Sequence, residues 1–399
     1  MGKLFRYEWR KILRQRYLLF FVGLMLVLNV FNIYENYDVL LTPSDVFYYE
    51  GVPESADLQA YRLQHDFVGA ITAEKVSDLQ ARNARARRFW QNGNDFWDEG
   101  YFRRPGGDYY AGQKILTEME RLYAYDENVR DPLLAKNAEL LAAAKADGDV
   151  FRVRAAEKTE TLFAGRAVSD YYRVDEYDPL LTYKLSTLFL LLLGGYAASF
   201  LFAGEKETAM LSLQKSALRG KTALFFAKVT ALGLFLFVLG LLFFVGDYLT
   251  FFFCRRFSGA FLPVYAMKDF AFSPVNVSIF GFYCLLSLFK IWGVFLVCLM
   301  AILFSVLMRR SVFAFLWSML SSVGLMALTL FTDGVFSVVR YLNPVSLLIA
   351  VRFFKTLRFE NVLGFPIQPM PLTVFGTAAA AFLLLGAALI RYQKGNAYA

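Results

Sequence analysis

An all-α polytopic membrane protein, with six transmembrane helices and a mostly helical extracellular domain between the first two, is the fold class this sequence predicts. Three observations predict it. Hydrophobic residues make up 57% of the 399, and Phe alone numbers 42, more than a soluble domain of this length can bury. Six segments supply the roughly 20 mostly apolar residues that a bilayer crossing needs: Tyr17–Ile33, Leu185–Ala203, Thr222–Val245, Val277–Met308, Val312–Phe331 and Leu372–Ile390. Charge is also partitioned. Residues 42–179 hold 18 Lys/Arg and 25 Asp/Glu, whereas the rest holds 24 and 9. Two environments are being served.

In chain order, residues 1–16 predict an amphipathic elbow helix. Leu4, Phe5, Trp9, Ile12 and Leu13 fall on one helical face, and Lys3, Arg6, Arg10 and Arg14 on another. Such a helix suits the inner interface, where anionic headgroups attract cations; ordinary basic flanking of a span explains the same charges. Residues 17–41 follow as the first span, retained as an anchor because "NIYENYDVLLTPSD" offers no small-residue cleavage site. Within 42–179, "ITAEKVSDLQARNARARRFW", "QKILTEMERLYAY" and "PLLAKNAELLAAAKADGD" space apolar residues by three and four, with Gly or Pro between them. These predict helices.

Residues 180–399 supply the other five spans. The segment 335–359 is apolar but interrupted by Arg340, Pro344 and Arg352. A re-entrant or interfacial element suits it, provided other helices shield its broken backbone. Short basic loops set orientation. The N-terminal segment, the island at 204–221, Arg309-Arg310 and the C-terminal Arg391 and Lys394 total 14 basic residues, against 7 in the opposite connections. This predicts both termini in the cytoplasm and 42–179 outside.

Some chemistry is excluded. His65 is the only histidine, so a histidine metal cluster is unavailable. Cys254, Cys284 and Cys298 match no zinc or redox spacing and read as small buried hydrophobes. The tail "RGKT" of the island suggests a nucleotide-binding loop, but Lys215 stands where its first Gly is required and no strand precedes it. The chain therefore binds no ATP by that route.

What remains of the island is "EKETAMLSLQ", 205–214. It reads either as a solvated loop or as a short amphipathic helix whose apolar edge, Met210, Leu211 and Leu213, presses into a soluble partner. Two lysines fall inside predicted spans, where charge is costly and marks function by default. Lys228 is near enough to a span end for pairing or snorkelling; Lys290 stays open between a functional and a structural role. The aromatic-rich run "DYLTFFFCRRFSGAFLPVYAMKDF", 247–270, suits an outer interfacial belt or a rim for cargo.

The ordered residues Phe202, Glu205, Lys206, Glu207, Thr208, Leu213, Ser216, Arg219, Gly220, Lys221, Ala227 and Lys228, with the opening "KLFRYEWRKILRQRYLLFF" and the later "LNPVSLL", resemble type-2 ABC exporter permeases. Ala209 and Ala217 depart from the Gly and Pro common there. The resemblance spans both ends and most of the second half, not 42–179. It implies a dimer with a second permease copy or paralogue, and a separate cytoplasmic ATPase that carries ATP and Mg and docks at Glu205, Lys206, Glu207, Thr208, Met210, Leu211 and Leu213. The chain itself then binds no cofactor and is no enzyme. Its expected function is export of an amphiphilic peptide or lipid-like substrate across a bacterial plasma membrane, with membrane lipids and no nucleic acid as partners. The alternative is an ABC-coupled sensor or resistance module that uses the external domain. An intramembrane enzyme ranks last, because the spans hold almost no carboxylates.

Overall fold

The structure, a computed structural model, describes residues 2–37, 67–91, 107–207, 220–330 and 341–394. Thr208, Met210, Leu211, Leu213, His65 and Arg340 lie outside the described residues. Among the described residues, six helices are long and apolar enough to cross a membrane: Arg16–Tyr37, Val174–Glu207, Thr222–Arg255, Ile279–Leu307, Ser311–Leu328 and Pro369–Gln393. We call them spans 1 to 6.

Two boundaries differ from expectation. Span 3 belongs to an unbroken helix, Gly220–Arg255, of 36 residues, about 54 Å at 1.5 Å per residue. It runs ten residues past Val245, because Asp247 finds buried partners and does not end the apolar run. Span 2 also continues without a break into Glu205–Glu207, so the membrane helix reaches past Ala203 into the first three residues of the expected 205–214 helix. The chain is not purely helical either. Gly69–Ala70 (β1) pairs antiparallel with Asp170–Tyr171 (β2), and Glu360–Val362 (β3) with Phe365–Ile367 (β4). The second pair turns on Leu363 and Gly364, both at positive φ (52° and 83°). Leu is rarely asked to adopt that backbone, so the turn carries no Asn-Gly signature.

Small residues let the spans approach closely, the usual device where lipid removes any hydrophobic drive between helices. A Cβ at Gly194 would lie 2.6 Å from Leu236 and 2.8 Å from the Cys298 sulfur; one at Gly240 would lie 2.5 Å from Ile291. Cys254 and Cys298 are buried as expected, whereas Cys284 is exposed. Spans 2, 3 and 4 form the interior of the bundle. Spans 1, 5 and 6 leave most of their surface open.

The polar region contributes helices Ala73–Gln91, Gly107–Tyr123, Asp131–Asp147 and Val150–Phe163. The Asp131 helix ends on Gly148 at φ 67°, a left-handed C-cap, and Asp149 then caps the next helix through the Arg152 N–H. This region is bonded to the loops between spans. Arg121 donates to the Ala266 carbonyl at 2.8 Å, Tyr125 to Ala271 at 3.1 Å, Tyr265 to Ala167 at 3.1 Å, and Lys158 to Pro366 at 3.2 Å. Arg166 is buried between the Phe163 and Tyr265 rings, 3.9 and 4.8 Å from their centroids.

In the segment read as re-entrant, the described part forms helical turns at Val345–Leu348 and Ala350–Phe354. Asn343 donates to the Leu325 carbonyl and accepts from Val345 N–H, which satisfies backbone where Pro344 breaks the helix. Phe354 packs on Phe282 and Phe289 of span 4.

Candidate functional site

At one end of the bundle the elbow helix Gly2–Leu13 lies against span 3. Phe5, Trp9 and Ile12 face the core, while Lys3, Arg6, Arg10 and Arg14 are exposed. Leu4 and Leu13, expected on the apolar face, are 38% and 40% exposed. Between Phe5 and Ile12, on the same stripe, sits Glu8, fully buried. An acid three and four residues from core positions is the signal that sequence reasoning passed over.

Glu8 is there to meet Lys228. The Lys228 ammonium, also fully buried, donates to Glu205 Oε1 at 2.5 Å, to the Leu201 carbonyl at 3.0 Å and to Glu8 Oε2 at 3.2 Å. Three protons find three acceptors. Lys11 of the elbow also reaches Glu205 Oε1, so two cations face two carboxylates. The cluster is neutral as a set, which is the condition under which charges survive burial. The pairing expected for Lys228 is present, with partners from the elbow and from span 2.

The base of span 2 is bent to allow this. Phe200–Gly204 is a π-helical turn. Ser305 of span 4 inserts its hydroxyl into the ladder, accepting from Ala203 N–H and donating to the Ser199 carbonyl, each at 2.8 Å. Those are the two groups that an α-helical bond would join directly. A side chain wedged between them widens the turn. Glu205, which follows immediately, is 3% exposed.

The next two residues bind elsewhere. Lys206 donates to the carbonyls of Ser305 (3.0 Å), Val306 and Met308 (3.1 Å), where a cation suits the end of span 4. Glu207 accepts from Ser311 N–H at 2.7 Å and caps the start of span 5. Gln393 of span 6 donates to Thr222 at 3.1 Å beside them. Glu205, Lys206 and Glu207 therefore tie the base of span 2 to the elbow and to spans 3, 4 and 5. Each side chain is spent within the chain, and none of the three is held out to solvent alone. The remaining expected docking residues, Thr208, Met210, Leu211 and Leu213, are outside the described residues.

A second polar network crosses the bundle near its other end. Asp247 of span 3 accepts from Asn29 of span 1 at 2.5 Å and from Ser186 of span 2 at 2.6 Å. Tyr183 donates toward Asn29 and Asn32, each at 3.0 Å. Lys290 donates to the Tyr183 carbonyl at 3.1 Å. That carbonyl stands where the helix Asp178–Thr182 breaks before Leu185, so the ammonium serves a freed backbone acceptor. Asp247 was not foreseen because it fell just beyond the expected end of span 3.

Where spans 2 and 3 meet the polar region, Arg173, Lys114 and Arg255 converge on Glu176, the last at 2.7 Å. Nearby, burial and then Asp175 push the Glu118 carboxyl up to about 7. Among the described residues no group of His, Cys, Asp and Glu could hold a metal ion. Comparisons with protein-family models, with curated proteins and with solved structures give no match to this chain.

Proposed function

We propose that the chain is the membrane subunit of an ATP-driven exporter, moving an amphiphilic peptide or lipid-like substrate, with the elbow end facing the cytoplasm. The observation that carries this reading is the junction at Glu205, Lys206 and Glu207. A segment that enters the junction from outside and is bonded to four other helices within three residues is a place where a push on one loop must move several spans together. The chain has no nucleotide-binding loop of its own, so the push would come from a separate ATPase pressing on residues 208–214. Rigid transfer needs the Glu8–Lys228–Glu205 cluster intact, because packed ionic contacts transmit displacement only while they hold one arrangement.

Affinity purification from the native membrane tests the proposal. A co-purifying nucleotide-binding protein, whose ATP turnover is stimulated by this chain, is expected. Replacing Met210, Leu211 and Leu213 with Ser should abolish that stimulation while the chain still folds. Purification with no ATPase, together with extracellular labelling of Ser212→Cys in intact cells, would overturn both the partner and the orientation.

A further inference from the structure

Just before span 6 the β3–β4 hairpin presents an apolar tip on a strained turn. Leu363 stands at its apex with φ 52° and is 94% exposed. A Cβ disfavours that left-handed backbone, and glycine would occupy the position freely. Gly364 does so next door at φ 83°. Its N–H donates to the Asn361 side chain at 2.9 Å, so the turn closes without any help from a side chain at 363. Leu363 is thus unfavourable both in its backbone and in its exposure. Strain and exposure combined at one residue point to a contact made outside the chain.

The hairpin is tethered at the membrane boundary. Ile367 ends β4 and Pro369 begins span 6, so Leu363 is held within about 20 Å of extended chain from that helix. Gln393, at the other end of span 6, meets Thr222 at the start of span 3. The hairpin therefore shares an end of the bundle with Phe253 and Phe261, 72% and 86% exposed, where aromatic rings mark an interface. Cations flank the tip. Arg154 of Val150–Phe163 lies 4.4 Å from the Phe365 ring centroid and donates to the Gly364 carbonyl at 3.2 Å. Lys158, one turn on, donates to the Pro366 carbonyl and lies 5.6 Å from the Phe359 ring centroid. Both cations are exposed. Glu360, the acid of the hairpin, is met by Arg358 at 3.0 Å. An apolar point flanked by cations beside a membrane helix suits a phospholipid surface, with hydrocarbon below and phosphates around it.

We infer that the β3–β4 tip docks on the phospholipid leaflet beside span 6, with Leu363 and Phe365 at the acyl boundary and Arg154 and Lys158 at headgroup phosphates. The contact clamps the helix Val150–Phe163, and with it the polar region, to the membrane surface. It is independent of what the chain moves and of which side faces the cytoplasm.

Site-specific photo-crosslinking tests it on the full chain, reconstituted in vesicles of phosphatidylcholine and phosphatidylglycerol. The photoreactive residue p-benzoylphenylalanine is placed in turn at 363, at Phe375 on span 6 and at Glu139 in the polar region. Phe375 is 75% exposed and serves as the lipid reference; Glu139, an exposed acid, serves as the water reference. Lipid adducts at 363 should approach the yield at 375 and exceed that at 139 about tenfold, as burial of one leucine side chain in hydrocarbon would give. Leu363→Gly relieves the turn, so it should melt no lower in detergent, yet adducts formed from position 365 should fall about tenfold. Arg154→Gln with Lys158→Gln should abolish any gain in yield from phosphatidylglycerol over phosphatidylcholine alone. Adducts at 363 no more frequent than at 139 would overturn the inference. So would crosslinks that mainly join two copies of the chain, or a yield from 365 that Leu363→Gly leaves unchanged. Should the bulky residue at 363 impair folding, position 365, already aromatic, carries the same comparison.

Discussion

Lys228 and Asp247 belong to one helix, separated by about 28 Å at 1.5 Å per residue, close to the thickness of a hydrocarbon core. The molecule accommodates them in opposite ways. Lys228 is neutralised by carboxylates that arrive from the elbow and from span 2. Asp247 is held by the neutral donors Asn29 and Ser186, while Lys290 spends its hydrogen bond on a carbonyl. One network joins charge to charge in direct ion pairs; the other bonds its acid to dipoles, with the Lys290 charge acting on it only through space. The first should be brittle to loss of a partner, and the second tolerant of neutralisation.

The harshest challenge to that contrast is Lys228→Met. It leaves Glu8 and Glu205 buried without their shared cation, so a loss of about 3–5 kcal/mol is expected. Thermal unfolding of the detergent-solubilised protein reads it. Adding Glu8→Gln and Glu205→Gln to the same chain should recover most of the loss, because no buried charge is then stranded. An unchanged melting temperature in the single variant would mean that the cluster does not hold this end together.

Glu118, in the polar region, extends the comparison to a carboxyl with no matched cation of its own. Its folded pKa, about 7, stands above the ordinary value of 4.5. The stabilising protonated form is thus fully present below pH 4.5 and is lost as pH rises through 7. Glu118→Gln should flatten stability across that window and leave the protein up to about 3 kcal/mol more stable at pH 8. Melting curves of both forms at pH 5 and pH 8 decide it; parallel curves would sink the assignment.

Asp247→Asn is expected to cost only about 1–2 kcal/mol, since the amide keeps an acceptor for one donor and meets the other wrongly. A penalty as large as that of Lys228→Met would erase the distinction between the two networks. The smallest effect falls to Glu207→Ala. It removes an exposed cap from span 5, worth about 0.5 kcal/mol, and fraying should appear as faster amide exchange at Ser311–Phe313.

Much of the architecture was legible before any coordinates. Each span is a local sum of apolar transfer, and Leu185, Thr222 and Ile279 mark helices that their own composition demands. Boundaries differ where a polar residue finds a distant partner: Val245 reads as the end of span 3 because nothing near it in sequence accommodates Asp247. The site is half visible. Glu205, Lys206 and Glu207 stand out as charge between two greasy runs, but nothing near them in sequence names their partners on the elbow and on spans 3, 4 and 5. Glu8 was hidden in an apparently basic helix, on the stripe shared by Phe5 and Ile12. The β3–β4 turn escaped because Leu363 takes a backbone that its side chain disfavours.

By itself, then, the sequence determined which six stretches are long and apolar enough to cross a bilayer, which stretch is polar, and that the island at 204–221 lacks the first Gly of a nucleotide-binding loop. These follow from properties that add residue by residue along the chain. Only the tertiary structure decided which charges meet. Lys11 finds Glu205 across 194 residues, and Glu8 finds Lys228 across 220. Electrostatic energy depends on separation in space and on the water excluded around it, and neither is a function of distance along the sequence.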